Sequence, residues 1–179
     1  MYLVRIMSAI VILEDKAVIR GREFKVIRVN KKRVVVVPAD ALEGLKFSDI
    51  PKDSYLEIYR SIRGEYMEDY NGMLWAYPDG TITWEFQENP RFYRGYLPVD
   101  LHIKVAAKLA EKYGFKVKNT KCEETCYATL HRKFDPNKEI LAAIRNTVEQ
   151  ILNEIKELNT ELRESALETL KKKGVEIST

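Results

Sequence analysis

Hydrophobic and polar positions change rhythm several times along this chain. Residues 2–38 hold four short apolar runs, LVRIMSAIVIL, KAVIR, EFKVIRVN and KRVVVVP, punctuated at Glu14-Asp15, Gly21 and Asn30-Lys31. Short alternating or clustered runs separated by turn residues predict a β-meander or small barrel. The β-branched run Val34 to Val37 is strand, and Pro38 ends its ladder because it has no N–H to donate. Segment 39–53, ADALEGLKFSDIPKD, is turn-rich and reads as a connector. In SYLEIYRSIRG, residues 54–64, Tyr55, Ile58, Tyr59 and Ile62 recur at helical spacing, which predicts a short helix stopped by Gly64. Two strands are expected next, over 72–77 and 81–87, joined by Pro78-Asp79-Gly80.

The rhythm returns to helical over Asp100 to Tyr113, where Ile103, Ala106, Ala107, Ala110 and Tyr113 share a stripe and Gly114 supplies the stop. Strands over 115–119 and 126–131 complete this unit. From Pro136 to Lys172 no Gly or Pro interrupts the chain, and Leu141, Ile144, Val148, Ile151, Ile155, Leu158 and Leu162 step by three and four. That is a coiled-coil seam, which fails at Ser165 and Thr169. Ile140 and Leu152 widen the stripe, so the helix has two destinations, its own sheet or a partner helix in a homo-oligomer. The expected fold is α+β: an N-terminal β-meander or small barrel (1–40), a central sheet with two helices (41–135), and a long C-terminal amphipathic helix with its tail (136–179).

Composition narrows the class. With 179 residues and 45% hydrophobic content, the chain can bury a core, which excludes a disordered polypeptide. A net charge of +3 excludes strong, uniform attraction to nucleic acid, so any basic surface must be local. The opening MYLVRIMSAIVIL contains Arg5 and meets Glu14-Asp15 with no small-residue cleavage site, so it reads as a strand and not as a signal peptide. No other apolar run approaches the roughly 18 residues that cross a bilayer, and a cytoplasmic protein with no membrane partner is expected. Abundant Lys and Glu, with Gln only at positions 87 and 150, match the bias of hyperthermophile proteins and suggest an archaeal source. Three residues separate Cys122 and Cys126, and His131 and His102 are the only histidines, so zinc is not expected. The two cysteines are either small residues at a loop-to-strand junction or a disulfide of a hot-living host.

Charge is unevenly distributed. Residues 1–40 hold nine basic and four acidic side chains, and 41–70 hold four basic and seven acidic ones. Lys104, Lys108 and Lys112 follow at helical spacing, with Lys116 and Lys118 on the next strand. These residues either track phosphates or form a solvated helix face. The loop Pro90-Arg-Phe-Tyr-Arg-Gly-Tyr96 mixes Arg91 and Arg94 with Phe92, Tyr93 and Tyr96. Aromatic faces stack on unpaired bases while guanidinium groups hold phosphate, so the loop suits single-stranded DNA or RNA. The competing reading is that Phe92 and Tyr96 cap the core.

Two resemblances bear on function. Residues 19–40, IRGREFKVIRVNKKRVVVVPAD, resemble a small β-module of large helicase-related proteins, which implies a nucleic-acid-handling context for Arg20, Arg22, Lys25, Arg28 and the Lys31-Lys32-Arg33 turn. The order helix, strand, strand, helix, strand over 54–119 resembles the restriction-endonuclease-like nuclease core, whose Pro-Asp…Asp/Glu-x-Lys motif is similar to Pro78-Asp79…Glu85-x-Gln87. That resemblance implies Mg²⁺ held by Asp79 and Glu85, with Gln87 in the Lys position and Asp69 as a substitute first carboxylate. Gln87 departs from the motif because it carries no charge, and the Asp79-to-Glu85 spacing is short. The turn chemistry of Pro78-Asp79-Gly80 also explains those residues without catalysis.

Ser-hydrolase elbows, phosphate-binding loops and dinucleotide glycine patterns do not occur, and His102 and His131 read as structural. The leading expectation is a non-enzymatic nucleic-acid-binding or accessory protein without a cofactor or metal. The alternatives are a Mg²⁺-dependent nuclease and an assembly subunit acting through its final helix.

Overall fold

Residues 9–59 and 70–175 are described by a computed structural model. Nine strands run β1 (Ile10–Ile12), β2 (Lys16–Ile19), β3 (Arg22–Val29), β4 (Lys32–Val37), β5 (Ser54–Ile58), β6 (Gly72–Ala76), β7 (Thr81–Glu88), β8 (Lys116–Cys122) and β9 (Cys126–Lys133). They form one sheet in the order β1-β2-β3-β4-β5-β6-β7-β9-β8. Every pairing is antiparallel except β4 with β5. With α1 (Val99–Lys112), α2 (Ile140–Asn146) and α3 (Val148–Lys172), this is the expected α+β class.

The N-terminal strands β1 to β4 form an antiparallel meander. Its β3–β4 turn is tight because Asn30 adopts positive φ (57°), which Asn tolerates better than most side chains. The connector 39–53 does more than join strands. Ala39, Ala41, Leu42, Leu45, Phe47 and Ile50 are all buried on one face of the sheet, in the same core that receives α2. The sheet therefore continues across residue 40, and its core across residues 40 and 135.

The segment predicted as a helix over 54–64 is strand β5 through residue 58, and residues 60–69 lie outside the described residues. Tyr55, Ile58 and Tyr59 fit a helical stripe, but Ser54, Leu56 and Ile58 also alternate with Tyr55 and Glu57, and tertiary pairing decides. Leu56 and Ile58 enter the core beside Val35 and Val37 of β4, and Tyr55 and Glu57 take the opposite face.

Core packing centres on β7. Ile82, Trp84 and Phe86 are fully buried, and the Trp84 indole donates to the carbonyl oxygen of Tyr70 at 2.8 Å. Phe86 and Phe115 meet the Trp84 ring edge-on at 5.4 and 6.2 Å. Helix α1 lays Ile103, Ala106 and Ala110 on this cluster, as its stripe predicts. At the β6–β7 turn, Gly80 adopts φ of +98°, and a Cβ there would collide with the Phe134 carbonyl. Cys122 and Cys126 face each other across the β8–β9 turn and are joined as a disulfide.

The single helix expected over 136–172 is broken. Residues 136–138 form a turn and Glu139 bridges Lys46 of the connector, with Ser48 N–H donating to the Pro136 carbonyl and Ile140 N–H donating to that of Leu45. At Thr147 the backbone leaves helical geometry (φ −129°, ψ −78°), while its hydroxyl donates to the Ala143 carbonyl at 2.6 Å. Thr bonding back to the i−4 carbonyl bends helices, so no Gly or Pro is needed.

Of the two destinations open to the seam, the chain's own core takes its first five positions, against the partner-helix reading for them. Leu141, Ile144, Val148, Ile151 and Ile155 are at most 4% exposed within this chain, so they are not free to meet one. Leu158 and Leu162 lie beyond the core and are half-buried. Among the described residues no helix is long and apolar enough to cross a membrane.

Ile151→Ala should cost about 2–5 kcal/mol in urea unfolding, as expected for a cavity in a packed core. Leu162→Ala should cost far less. Equal, small effects at both positions would show that the seam is not intramolecular core.

Candidate functional site

The side chains of the sheet divide by alternation. One face is covered by the connector, α1 and α2. On the other, which no described helix covers, strand register aligns Glu57, Trp75, Thr83, His131 and Lys116 in one row and Met73, Glu85 and Thr129 in another. Tyr55 and Tyr77 stack on this same face with ring centroids 4.9 Å apart. With Val29, Asn30, Lys31 and Lys32 they line a hollow of about 530 Å³. Burial raises both phenol groups above their ordinary pKa, so they remain neutral donors. Trp75 donates its indole N–H to Glu57 at 3.1 Å, which fixes its ring on the sheet surface.

Lys116 and Lys118 border the face. A bulge between Val117 and Asn119 interrupts the alternation of β8, so both lysines act on His131, whose pKa is lowered by burial first and then by Lys118 and Lys116. Lys104, Lys108 and Lys112 do not join them. These residues line the solvent side of α1, behind the sheet, where Lys108 pairs with Glu111 at 3.5 Å and Lys112 with Glu154 at 2.8 Å. The single basic surface expected from these five lysines is therefore two surfaces.

The aromatic loop is also divided. Phe92 is 77% exposed and sits beside Met73 and Gln87 at the far end of the open face. Arg91 is exposed, its N–H donating to the Asn89 side chain at 2.9 Å. Tyr96 is 50% exposed and is held to α3 through Asn159, so neither Phe92 nor Tyr96 caps the core. Tyr93 turns inward instead, its ring 4.8 Å from that of His102, and Arg94 borders the recess below it.

The nuclease constellation does not assemble. Asp79 caps its own turn by accepting the Thr81 N–H at 3.0 Å. Glu85 accepts from the Gln87 amide at 2.7 Å. Four extended steps from Thr81 to Glu85, at about 3.3 Å each, hold the two carboxylates too far apart to share one ion. Asp69 lies outside the described residues. Among the described residues no three His, Cys, Asp or Glu side chains cluster as metal ligands, and the first helix of the nuclease order is β5.

A second recess has no signal in the sequence. It lies between the loop after β7 and helix α3, with Asn71, Glu88, Tyr93 and His102 in its floor. Glu88 accepts from Asn71 at 3.0 Å and stands 3.6 Å from His102 Nδ1. Burial raises the Glu88 carboxyl to about 7 and lowers the His102 imidazole to about 4. Displaced acid and base pKa values in a cleft are a mark of functional sites. Nothing local announces the pair, because Glu88 merely ends a strand and His102 occupies an apolar helix stripe.

Comparison with family models, with curated proteins and with solved structures gives no match for this chain.

The two groups pull stability in opposite directions. Unfolded Glu88 ionises near 4.5, so as pH rises from there through about 7 the folded state keeps a proton that the unfolded state loses, and stability declines. For His102, stability is lost as pH falls from 6.5 through about 4, because only the unfolded state takes up the proton. Tyr93, Arg94 and Tyr96 from the loop, and Glu149, Lys156 and Arg163 from α3, are the other ionisable groups lining the same recess. Glu88→Gln cannot ionise, so its Tm should gain on the wild type as pH rises through about 7. A Tm difference independent of pH would show that Glu88 does not titrate in this range.

Proposed function

We propose that this protein binds single-stranded nucleic acid along the open face of its sheet. The observation that carries this reading is the Tyr55–Tyr77 stack flooring a hollow with Lys31 and Lys32 at its border. Rings that present a face or edge to a recess accept unpaired bases by stacking, and adjacent ammonium groups neutralise the phosphates between them. Trp75 lies farther along the sheet and Phe92 at its far end, beside Met73 and Gln87. Strand β7, at eight residues, gives this track a length of about 25 Å. Lys116 and Lys118 supply cations along its side.

The modest net charge agrees with a local track. A single strand of nucleic acid meets several lysines there, while Glu57 and Glu85 are each engaged by a neighbour, Trp75 and Gln87. The basic hairpin Lys31-Lys32, singled out by the helicase-module resemblance, borders the hollow. The assignment concerns binding and invokes no reaction.

Fluorescence anisotropy with short DNA and RNA oligonucleotides tests the reading. Tyr77→Ala should weaken binding by about 1–3 kcal/mol for a stacked base. Lys31→Ala with Lys32→Ala should flatten the slope of log K against log salt by about 0.7 for each phosphate no longer neutralised. Both lysines are exposed, so the second variant separates binding from folding. Wild-type protein that binds neither polymer at low salt, or a double variant with an unchanged slope, would overturn the proposal.

A further inference from the structure

The recess over His102 holds a different chemistry from the sheet face. Its volume is about 530 Å³, within the range of small-molecule sites. His102 is 2% exposed and is held between the rings of Phe86 at 5.6 Å and Tyr93 at 4.8 Å, yet neither ring nitrogen makes a hydrogen bond. Buried polar atoms are nearly always satisfied in folded proteins, so a cleft whose floor holds two unsatisfied nitrogens on one side chain is completed by something that enters it.

Cations border the recess on both of its sides, with Glu149 also in the lining. Arg94 comes from the loop, and Lys156 and Arg163 lie seven residues apart on α3. None of the three forms an ion pair with a described carboxylate, in contrast to Lys112, which takes Glu154 of the same helix. Asn153, Asn159 and Thr160 add neutral polar groups to the lining.

We propose that this recess binds a mononucleotide-sized molecule, its phosphate held by Arg94, Lys156 and Arg163 and its heterocycle set against Glu88 and His102. The bipolar lining selects the class: a dianionic end meets three cations, and a neutral hydrogen-bonding end meets the buried pair. Near neutral pH Glu88 exchanges a proton while His102 stays neutral, so the floor can present a donor beside an acceptor. Base edges carry that same juxtaposition. Tyr93 and Tyr96 offer the flanking aromatic surface. The site is separate from the sheet face, and the proposal does not rest on nucleic-acid binding there.

Isothermal titration calorimetry of the full chain with AMP, GMP, CMP, UMP and inorganic phosphate tests it. One saturable site per chain is expected for at least one mononucleotide, with inorganic phosphate weaker. Lys156→Ala with Arg163→Ala changes only exposed side chains and should reduce mononucleotide affinity at least tenfold. Glu88→Gln should alter the preference among the four bases, a readout that phosphate recognition alone would not move. No saturable binding at millimolar concentration, binding indifferent to Lys156 and Arg163, or inorganic phosphate binding as tightly as every mononucleotide would overturn the proposal.

Discussion

A wide sheet must hide its apolar rows from water, and among the described residues the covering elements lie on one side. Trp84, Phe86, Leu74, Leu56 and Val37 are buried under the connector, α1 and α2. That one-sided arrangement depends on β7, the strand whose Trp84 ties the sheet to Phe115 and to the Tyr70 carbonyl. Two consequences follow. The uncovered face keeps its aromatic and charged side chains accessible, and both C-terminal helices are drawn onto the covered side, where α3 meets the loop after β7. The two recesses are therefore products of the same asymmetry on opposite sides of one sheet.

The sequence is most legible where periodicity has a single interpretation. The Val34–Val37 run, the β6–β7 hairpin with its Pro-Asp-Gly turn, and the Ile103–Ala110 stripe each admit one reading, and each appears as expected. Segment 54–58 admits two because Tyr55, Ile58 and Tyr59 satisfy both periods, and only pairing with β4 decides between them. The seam from Leu141 to Ile155 misleads for a different reason. Spacing near 3.5 residues reads as a supercoil, but a bend at Thr147 turns two straight pieces toward one core with the same spacing. A hydroxyl returning its bond to the preceding turn leaves no mark in a hydrophobicity pattern.

Candidate chemistry is less legible, since it depends on which elements become neighbours. Lys116 and Lys118 group with the α1 lysines by closeness in sequence, whereas the sheet lies between them. Alternation in SYLEIY brings Tyr55 to the same face as Glu57, but its meeting with Tyr77 requires the β4–β5–β6 order. Glu88 and His102 are fourteen residues apart and approach only because α1 folds back across the end of β7.

Strand β8 ends the sheet, and an edge of this kind offers unpaired backbone groups to any passing strand. Here the bulge after Val117 breaks the regular ladder, and Lys116, Lys118 and Lys121 crowd its length with like charge. A second copy docking edge to edge would bring those ammonium groups together and find the hydrogen-bond register out of step. The bulge beside Lys118 thus also makes this edge a poor template for strand addition, so one local irregularity shapes both a surface and an edge.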